Sequence, residues 1–163
     1  IRRYPFFAGL SNNQVQLLAE RAEEQAFEAG HVFYRDGEEV ERFYLLLDGA
    51  VTVFLEVPDN GMEEHPGSGH PTLAMTPTRI DVGTVGPGEV FGWTALVPPS
   101  TATNGAKAMA PCRVVAFDGA RLLEQFETDC RLGYQITQRM ASVMRTRIRD
   151  LHIEALMLQQ GGR

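Results

Sequence analysis

A chain of 163 residues, 44% of them hydrophobic, supplies one well-filled core and an appended helix but not a second large domain. Its formal net charge of −6 excludes the generally basic surface of a nucleic-acid binder. The chain shows no signal-peptide pattern and no apolar run near the roughly 18 residues of a membrane span, so a cytoplasmic protein without nucleic-acid or membrane contacts is expected.

Near the N-terminus, Ser11-Asn12-Asn13-Gln14 carries the S-x-x-Q capping pattern, in which hydroxyl and amide satisfy each other's end of the helix. Val15, Leu18, Ala19 and Ala22 then recur at helical spacing, which predicts an amphipathic helix over 12–24. Phe6, Phe7 and Leu10 precede it as an apolar staple onto the core. From Phe27 the period shortens. Residues 27–30 and 31–34 read as short strands divided by Gly30, with a turn at Asp36-Gly37. Asp48-Gly49, between the apolar runs 43–47 and 51–55, predicts a hairpin.

Residues 58–77 contain four prolines and no periodicity, and read as a long surface loop. Strand patterns return at 80–85, 106–109 and 113–117. Asp118-Gly119 opens a short helix through Phe126, and Thr128 opens a long one. Many short strands divided by glycine turns, with helices confined to the chain ends, predict an α+β domain built on a β-barrel or jelly roll.

The stretch 86–110, GPGEVFGWTALVPPSTATNGAKAMA, reads as a Gly-rich turn, a helical turn, a loop and a strand. A helical turn leaves its first N–H groups unpaired, so this layout aims donors at an anion. The charges of such a cradle are missing. No arginine lies between Arg79 and Arg113, and Glu89 is the only carboxylate between Asp81 and Asp118. Nothing elsewhere assembles a catalytic group. His31, His65, His70 and His152 lack metal-ligand spacing, and Ser100, Thr101 and Thr103 have no base close in sequence. Cys112 and Cys130 form neither CxxC nor CxxH and read as buried structural thiols. The sequence therefore points to no enzyme, no metal and no resident cofactor.

In the long helix, Ala141, Met144, Ile148, Leu151, Ala155 and Leu158 alternate at spacings of three and four, the seam of a coiled coil. Thirty helical residues reach about 45 Å, beyond the edge of a domain of this size. A parallel homodimer through the seam is expected. The five arginines from Arg131 to Arg149, with no acid among them, read as a solvated helix face. The chain divides into a domain over 1–127 and a long helix over 128–160.

The order of these pieces resembles the cyclic nucleotide-binding domain of catabolite-activator-type bacterial regulators. The likeness runs through Pro5 to Ser11, Phe27 to Phe33 with Asp36-Gly37, Phe43 to Gly49 with Val51, and Gly86-Pro87-Gly88 with Phe91-Gly92 and Ala95-Leu96, the last resembling the family's phosphate-binding cassette. It implies an eight-stranded jelly-roll barrel (a double-stranded β-helix) with an N-terminal helix, a short cassette helix and a long dimerising C-terminal helix. It places a ligand among Phe91, Gly92, Trp93, Thr94, Ala95, Leu96, Ala102, Thr103 and Asn104, with Arg147 over the mouth. Nucleotide-binding members carry a ribose-binding glutamate after Phe-Gly and a phosphate-binding arginine some ten residues later. Here those positions hold Trp93 and Ala102, and Lys107 is the only cation near the cassette. A charge-assisted contact to phosphate contributes about 1.5–3 kcal/mol, so its loss lowers affinity by one to two powers of ten, roughly. The resemblance thus implies a small-molecule-sensing regulatory module, whose ligand is a cyclic nucleotide or another small anionic or apolar molecule bound with altered specificity. The alternatives are a ligand-free dimerisation scaffold and the sensor half of a DNA-binding transcription regulator.

Overall fold

The structure, a computed structural model, describes residues 1–57 and 78–161, with the side chains of 154, 155 and 158–161 outside the description. The predicted loop over 58–77, with His65 and His70, lies outside the described residues. A 3-10 turn at Pro5–Phe7 leads into α1 (Asn12–Glu20), and the predicted capping box forms: Ser11 Oγ accepts the Gln14 N–H while Gln14 Oε1 accepts the Ser11 N–H. The helix ends four residues before the spacing predicts. Ala22 belongs to β1 (Ala22–Phe27), which pairs over its whole length with the strand Cys112–Asp118, so a ladder of backbone bonds overrides the continued helical period.

The remaining strands are β2 (Val32–Tyr34), β3 (Arg42–Asp48), β4 (Val51–Val57), β5 (Thr78–Val85), β6 (Val90–Phe91), β7 (Gly105–Ala108) and β8 (Cys112–Asp118). They form two four-stranded antiparallel sheets, ordered β1-β8-β3-β6 and β2-β7-β4-β5. The eight strands are those of a jelly roll, but the sheets do not close into the expected barrel. The predicted Asp48-Gly49 hairpin is not one either. β3 and β4 pair with different partners in different sheets, and Asp48-Gly49 is the corner at which the chain changes sheet. A Cβ on Gly49 would stand 2.5 Å from the Pro111 carbonyl oxygen, so the corner is held too close to its neighbour for a side chain.

Both faces of the β1-β8-β3-β6 sheet are covered, which explains why 43–47 is an unbroken apolar run rather than an alternating one. Phe43 and Phe117 face each other across β3 and β8 and meet Phe6 and Phe7 on the helical side. Tyr44 points the other way, stacking on Phe91 at 4.8 Å and touching Phe33 of the second sheet. The inter-sheet core is therefore strongly aromatic just where the cassette begins.

Two helices close the chain, α2 (Gly119–Thr128) and α3 (Cys130–Gly161). The long helix does not open at Thr128 as predicted, because Asp129 breaks the run and caps α3. Its Oδ1 accepts the Leu132 N–H at 2.9 Å and its Oδ2 accepts Gln14 Nε2 at 3.1 Å, tying α3 to α1. These bonds, the Leu132 N–H foremost, hold the Asp129 carboxyl below the usual carboxylate range. Leu132, Ile136 and Met140 are buried against the domain, and Val143 packs at its margin. Of the predicted seam, Ala141, Ile148 and Leu151 are exposed and Met144 is half-buried, whereas the side chains of Ala155 and Leu158 lie outside the description. Cys112 is buried, but Cys130 is exposed at the start of α3 and is not the buried thiol its sequence context predicts. No helix of the described residues is long and apolar enough to cross a membrane.

Candidate functional site

The cassette is built on a closed turn. Gly88 N–H donates to the Leu46 carbonyl at 2.8 Å, Leu46 N–H to Glu89 O at 2.9 Å, and Gly86 N–H to the Glu89 carboxylate at 2.6 Å. This fastens β6 to β3 and delivers the chain to Gly92. Gly92 adopts a left-handed conformation (φ 69°) and caps the 3-10 turn Trp93–Leu96. A Cβ there would lie 2.6 Å from the Arg42 carbonyl oxygen, so position 92 needs glycine for its conformation and for its contact. The helical turn expected after the Gly-rich turn forms, with the two-residue strand β6 before it.

The predicted site residues gather only in part. Phe91, Gly92, Thr94, Ala95, Leu96 and Ala102 are buried, Trp93 and Asn104 are half-buried, and Thr103 is exposed. The Gly92 N–H, expected to face a ligand anion, instead donates to the buried Tyr34 hydroxyl at 3.1 Å. Ala95 N–H is engaged by the Gly92 carbonyl at 3.1 Å. Burial pushes the Tyr34 phenol up to about 12, against the opposing pull of the Gly92 N–H and of the Arg147 charge. Tyr34 is thus the cassette residue that sequence reasoning missed. Its pairing spans 58 positions, and no local spacing signals it.

Among the described residues, neither Lys107 nor Arg147 is held beside Ala102 in place of the arginine. Ala102 is fixed through its backbone, donating to Glu38 O at 2.8 Å and accepting from Gly37 N at 3.0 Å. Ala106 and Ala108 point into the core, so strand alternation turns Lys107 between them away from it, its stem lying near Gly30. Arg147, expected over the mouth of the cassette, donates from Nη2 to the Val90 carbonyl at 3.0 Å. It and Arg139, whose Nη2 donates to the Ala8 carbonyl, lean onto the domain. The arginines of α3 are therefore not one solvated face: Arg131, Arg145 and Arg149 are exposed, whereas Arg139 and Arg147 are half-buried. Among the described residues, no group of three or more His, Cys, Asp or Glu side chains is placed to hold a metal ion.

Residues 24–129 match the model of the cyclic nucleotide-binding domain family, a span that takes in both sheets, the cassette and α2. The chain belongs to that family. Among solved structures, it resembles a cyclic nucleotide-binding protein from Geobacter metallireducens at 29% identity and a TM-score of 0.71, covering 90% of this chain and 94% of that one. A cyclic nucleotide-binding domain from Methylobacillus flagellatus shares the fold at 17% identity and a TM-score of 0.73, over 95% of this chain and 78% of that one. A CRP-like cAMP-activated global transcriptional regulator of Mycobacterium tuberculosis is 23% identical over 118 residues, 72% of this chain. The match spans 45% of that regulator's length.

Proposed function

We propose that this chain is a small-molecule-sensing regulatory module of the cyclic nucleotide-binding family whose cassette has altered specificity. One observation supports the reading: a left-handed Gly92 caps the 3-10 turn Trp93–Leu96, while Trp93 and Ala102 occupy the positions at which the resemblance implies a ribose-binding carboxylate and a phosphate-binding arginine. A buried phosphate with no guanidinium beside it bears a large desolvation cost, so cyclic AMP is a poor ligand for this site. Half-buried Trp93 offers a flat apolar wall to a different molecule. A ligand that displaced the cassette turn would press on α2, because Gly119 meets the turn at Ala95, and through α2 on α3, whose Gly133 packs against Phe126. Such differential contact is what allosteric coupling requires. The module acts as a homodimer through Ala141, Met144, Ile148 and Leu151.

The second reading, a dimerisation scaffold without a ligand, is favoured by the Tyr34 hydroxyl, which already satisfies the Gly92 N–H. The length of the Mycobacterium tuberculosis relative is compatible with a role as the sensor part of a transcription regulator.

Thermal unfolding against cyclic AMP, cyclic GMP and a metabolite panel separates the readings. The expected result is no response to cyclic AMP and a rise in Tm with one panel member, since a ligand at 100 times its Kd stabilises by about 2.7 kcal/mol. Cyclic AMP binding at micromolar concentration by the natural chain overturns altered specificity, and silence across the panel favours the scaffold. A Trp93→Glu, Ala102→Arg double variant is expected to gain cyclic AMP binding. A well-folded double variant that fails to bind counts against the placement of these two positions.

A further inference from the structure

Outside the sheets, a groove of 460 Å³ runs between α3, the N-terminal 3-10 turn and the turn before β6. Its walls are apolar, from Pro5, Phe6, Pro87 and Val143, and its floor carries two guanidinium groups, Arg139 and Arg147. None of Trp93–Leu96, Ala102 or Thr103 lines it. Neither arginine is paired with a carboxylate among the described residues. Arg147 is half engaged, by the Val90 carbonyl. Arg139 is held at one nitrogen by the Ala8 carbonyl, while its Nη1 is buried with no hydrogen-bond partner. Loss of solvent lowers the Arg139 pKa, the mark of a cation short of counter-charge. One carboxylate, Glu89, borders the groove, but its Oε2 is turned back onto the Gly86 N–H at 2.6 Å.

A buried N–H without an acceptor costs about 1–3 kcal/mol, more when it carries charge. An anion in the groove toward which the Arg139 guanidinium turned its buried Nη1 would recover that cost, and a guanidinium is built to bind two oxygens of a phosphate or carboxylate at once. Arg139, Val143 and Arg147 recur every four residues, so both cations project from one face of α3 into one groove. That face lies roughly opposite Ala141 and Ile148 at 100° per residue, so a partner helix centred on those two positions leaves the groove open.

We propose that this groove is a second ligand site, on the outer side of the turn that opens the cassette and away from Trp93–Leu96, Ala102 and Thr103, which takes a small organic anion: a phosphate or carboxylate head on the two guanidinium groups and an apolar body between Phe6, Pro87 and Val143. Its occupant bridges the N-terminal turn, α3 and the strand that leads into the cassette. Binding there stiffens the attachment of α3 to the domain.

The test is titration of the full chain with phenyl phosphate, followed by backbone amide and arginine side-chain NMR. Benzoate, inorganic phosphate and benzyl alcohol isolate the head and the body. The expected result is saturable binding of phenyl phosphate, with shifts at Val90, Ser142 and the side chains of Arg139 and Arg147. Inorganic phosphate should bind more weakly and benzyl alcohol not at all. Arg139→Gln should weaken binding about ten-fold, the scale of one charge-assisted contact. Because Arg139 also anchors Ala8, a second variant is needed: Ser142→Phe fills the mouth of the groove from an exposed position and should abolish binding in a folded protein. No saturable response to phenyl phosphate or benzoate, shifts centred on Thr94–Leu96, or binding unaffected by Ser142→Phe would each overturn the proposal. The cassette variant Trp93→Glu, Ala102→Arg should leave this binding unchanged, so failure at one site is distinguishable from failure at the other.

Discussion

Tyr34 holds its hydroxyl against the Gly92 N–H where solvent is excluded, and its titration therefore reports on the cassette. The folded phenol loses its proton at about 12 rather than near 10, because burial disfavours the phenolate. The native state therefore keeps a proton that the unfolded chain releases first. The stabilisation is fully present below pH 10 and is lost as pH rises towards 12, by roughly 2–3 kcal/mol in all. Urea unfolding at pH 8 and pH 11 should show about half of this fall, roughly 1.4 kcal/mol, in the natural chain and a smaller one in Tyr34→Phe. Tyr44, also raised by burial, supplies part of the slope that remains. At pH 8 the same variant should be about 1–3 kcal/mol less stable, since Gly92 N–H is left without its acceptor. Equal alkaline slopes in the two proteins would show that this phenol is not the titrating group. The missing charges at Trp93 and Ala102 are legible in sequence, because the lack of a residue type needs no geometry to be seen. Tyr34 and Arg139 are not, because their partners are distant in the chain and are backbone atoms that no side-chain pattern marks.

Among the elements, those with a strong local code are read correctly: the Ser11-Gln14 cap, the strand pattern before Asp118, the helix after Asp118-Gly119. The misread ones depend on partners elsewhere. β1 carries the pattern AEEQAF, which continues the helical spacing of α1 until β8 claims it. The two residues of β6 are too few to show a period, and Asp48-Gly49 has hairpin chemistry although its flanking strands belong to different sheets. Packing between elements turns on two close approaches. A Cβ at Gly119 would lie 2.6 Å from the Ala95 carbonyl oxygen and 3.0 Å from that of Glu41, both backbone atoms that cannot swing aside. Gly119→Ala should therefore destabilise by about 1–3 kcal/mol and displace the cassette turn. A Cβ at Gly133 meets Phe126 Cβ at 2.8 Å instead, at the joint of α2 and α3. Trp93 is the single tryptophan, so its emission reads the cassette directly. Emission should move in Gly119→Ala and stay in Gly133→Ala, although both lose stability. Unmoved emission in a destabilised Gly119→Ala would show that α2 does not press on the cassette.

For the whole molecule, the decisive question is what covers the far side of α3. Leu132, Ile136 and Met140 face the domain, while Ile148, on the other side of the helix, is 55% exposed, and Leu151, further along, is 41% exposed. Apolar side chains at successive turns of one helix face, left in water, mark an interaction surface, and their three-four spacing suits a second copy of the same helix. Arg147 and Ile148 are neighbours in sequence that face apart, one fastened to Val90 of the domain and the other free. The grip of the domain on α3 and the proposed seam between copies would therefore act on the same helical turn, so that whatever shifted one would bias the other to the same degree. Ile148→Glu with Leu151→Glu puts two carboxylates on each copy at the seam and should yield monomers in sedimentation velocity. Both positions are exposed and lie beyond the buried Leu132, Ile136 and Met140, so helix content by circular dichroism should be nearly preserved. Arg147→Gln, by contrast, should leave the dimer intact and loosen α3 from the domain, seen as faster amide exchange over the turn around Val143. A dimer that survives both glutamates rejects the seam. Monomers produced by Arg147→Gln instead would place the contact between copies on the domain side of the helix, where the guanidinium groups lie.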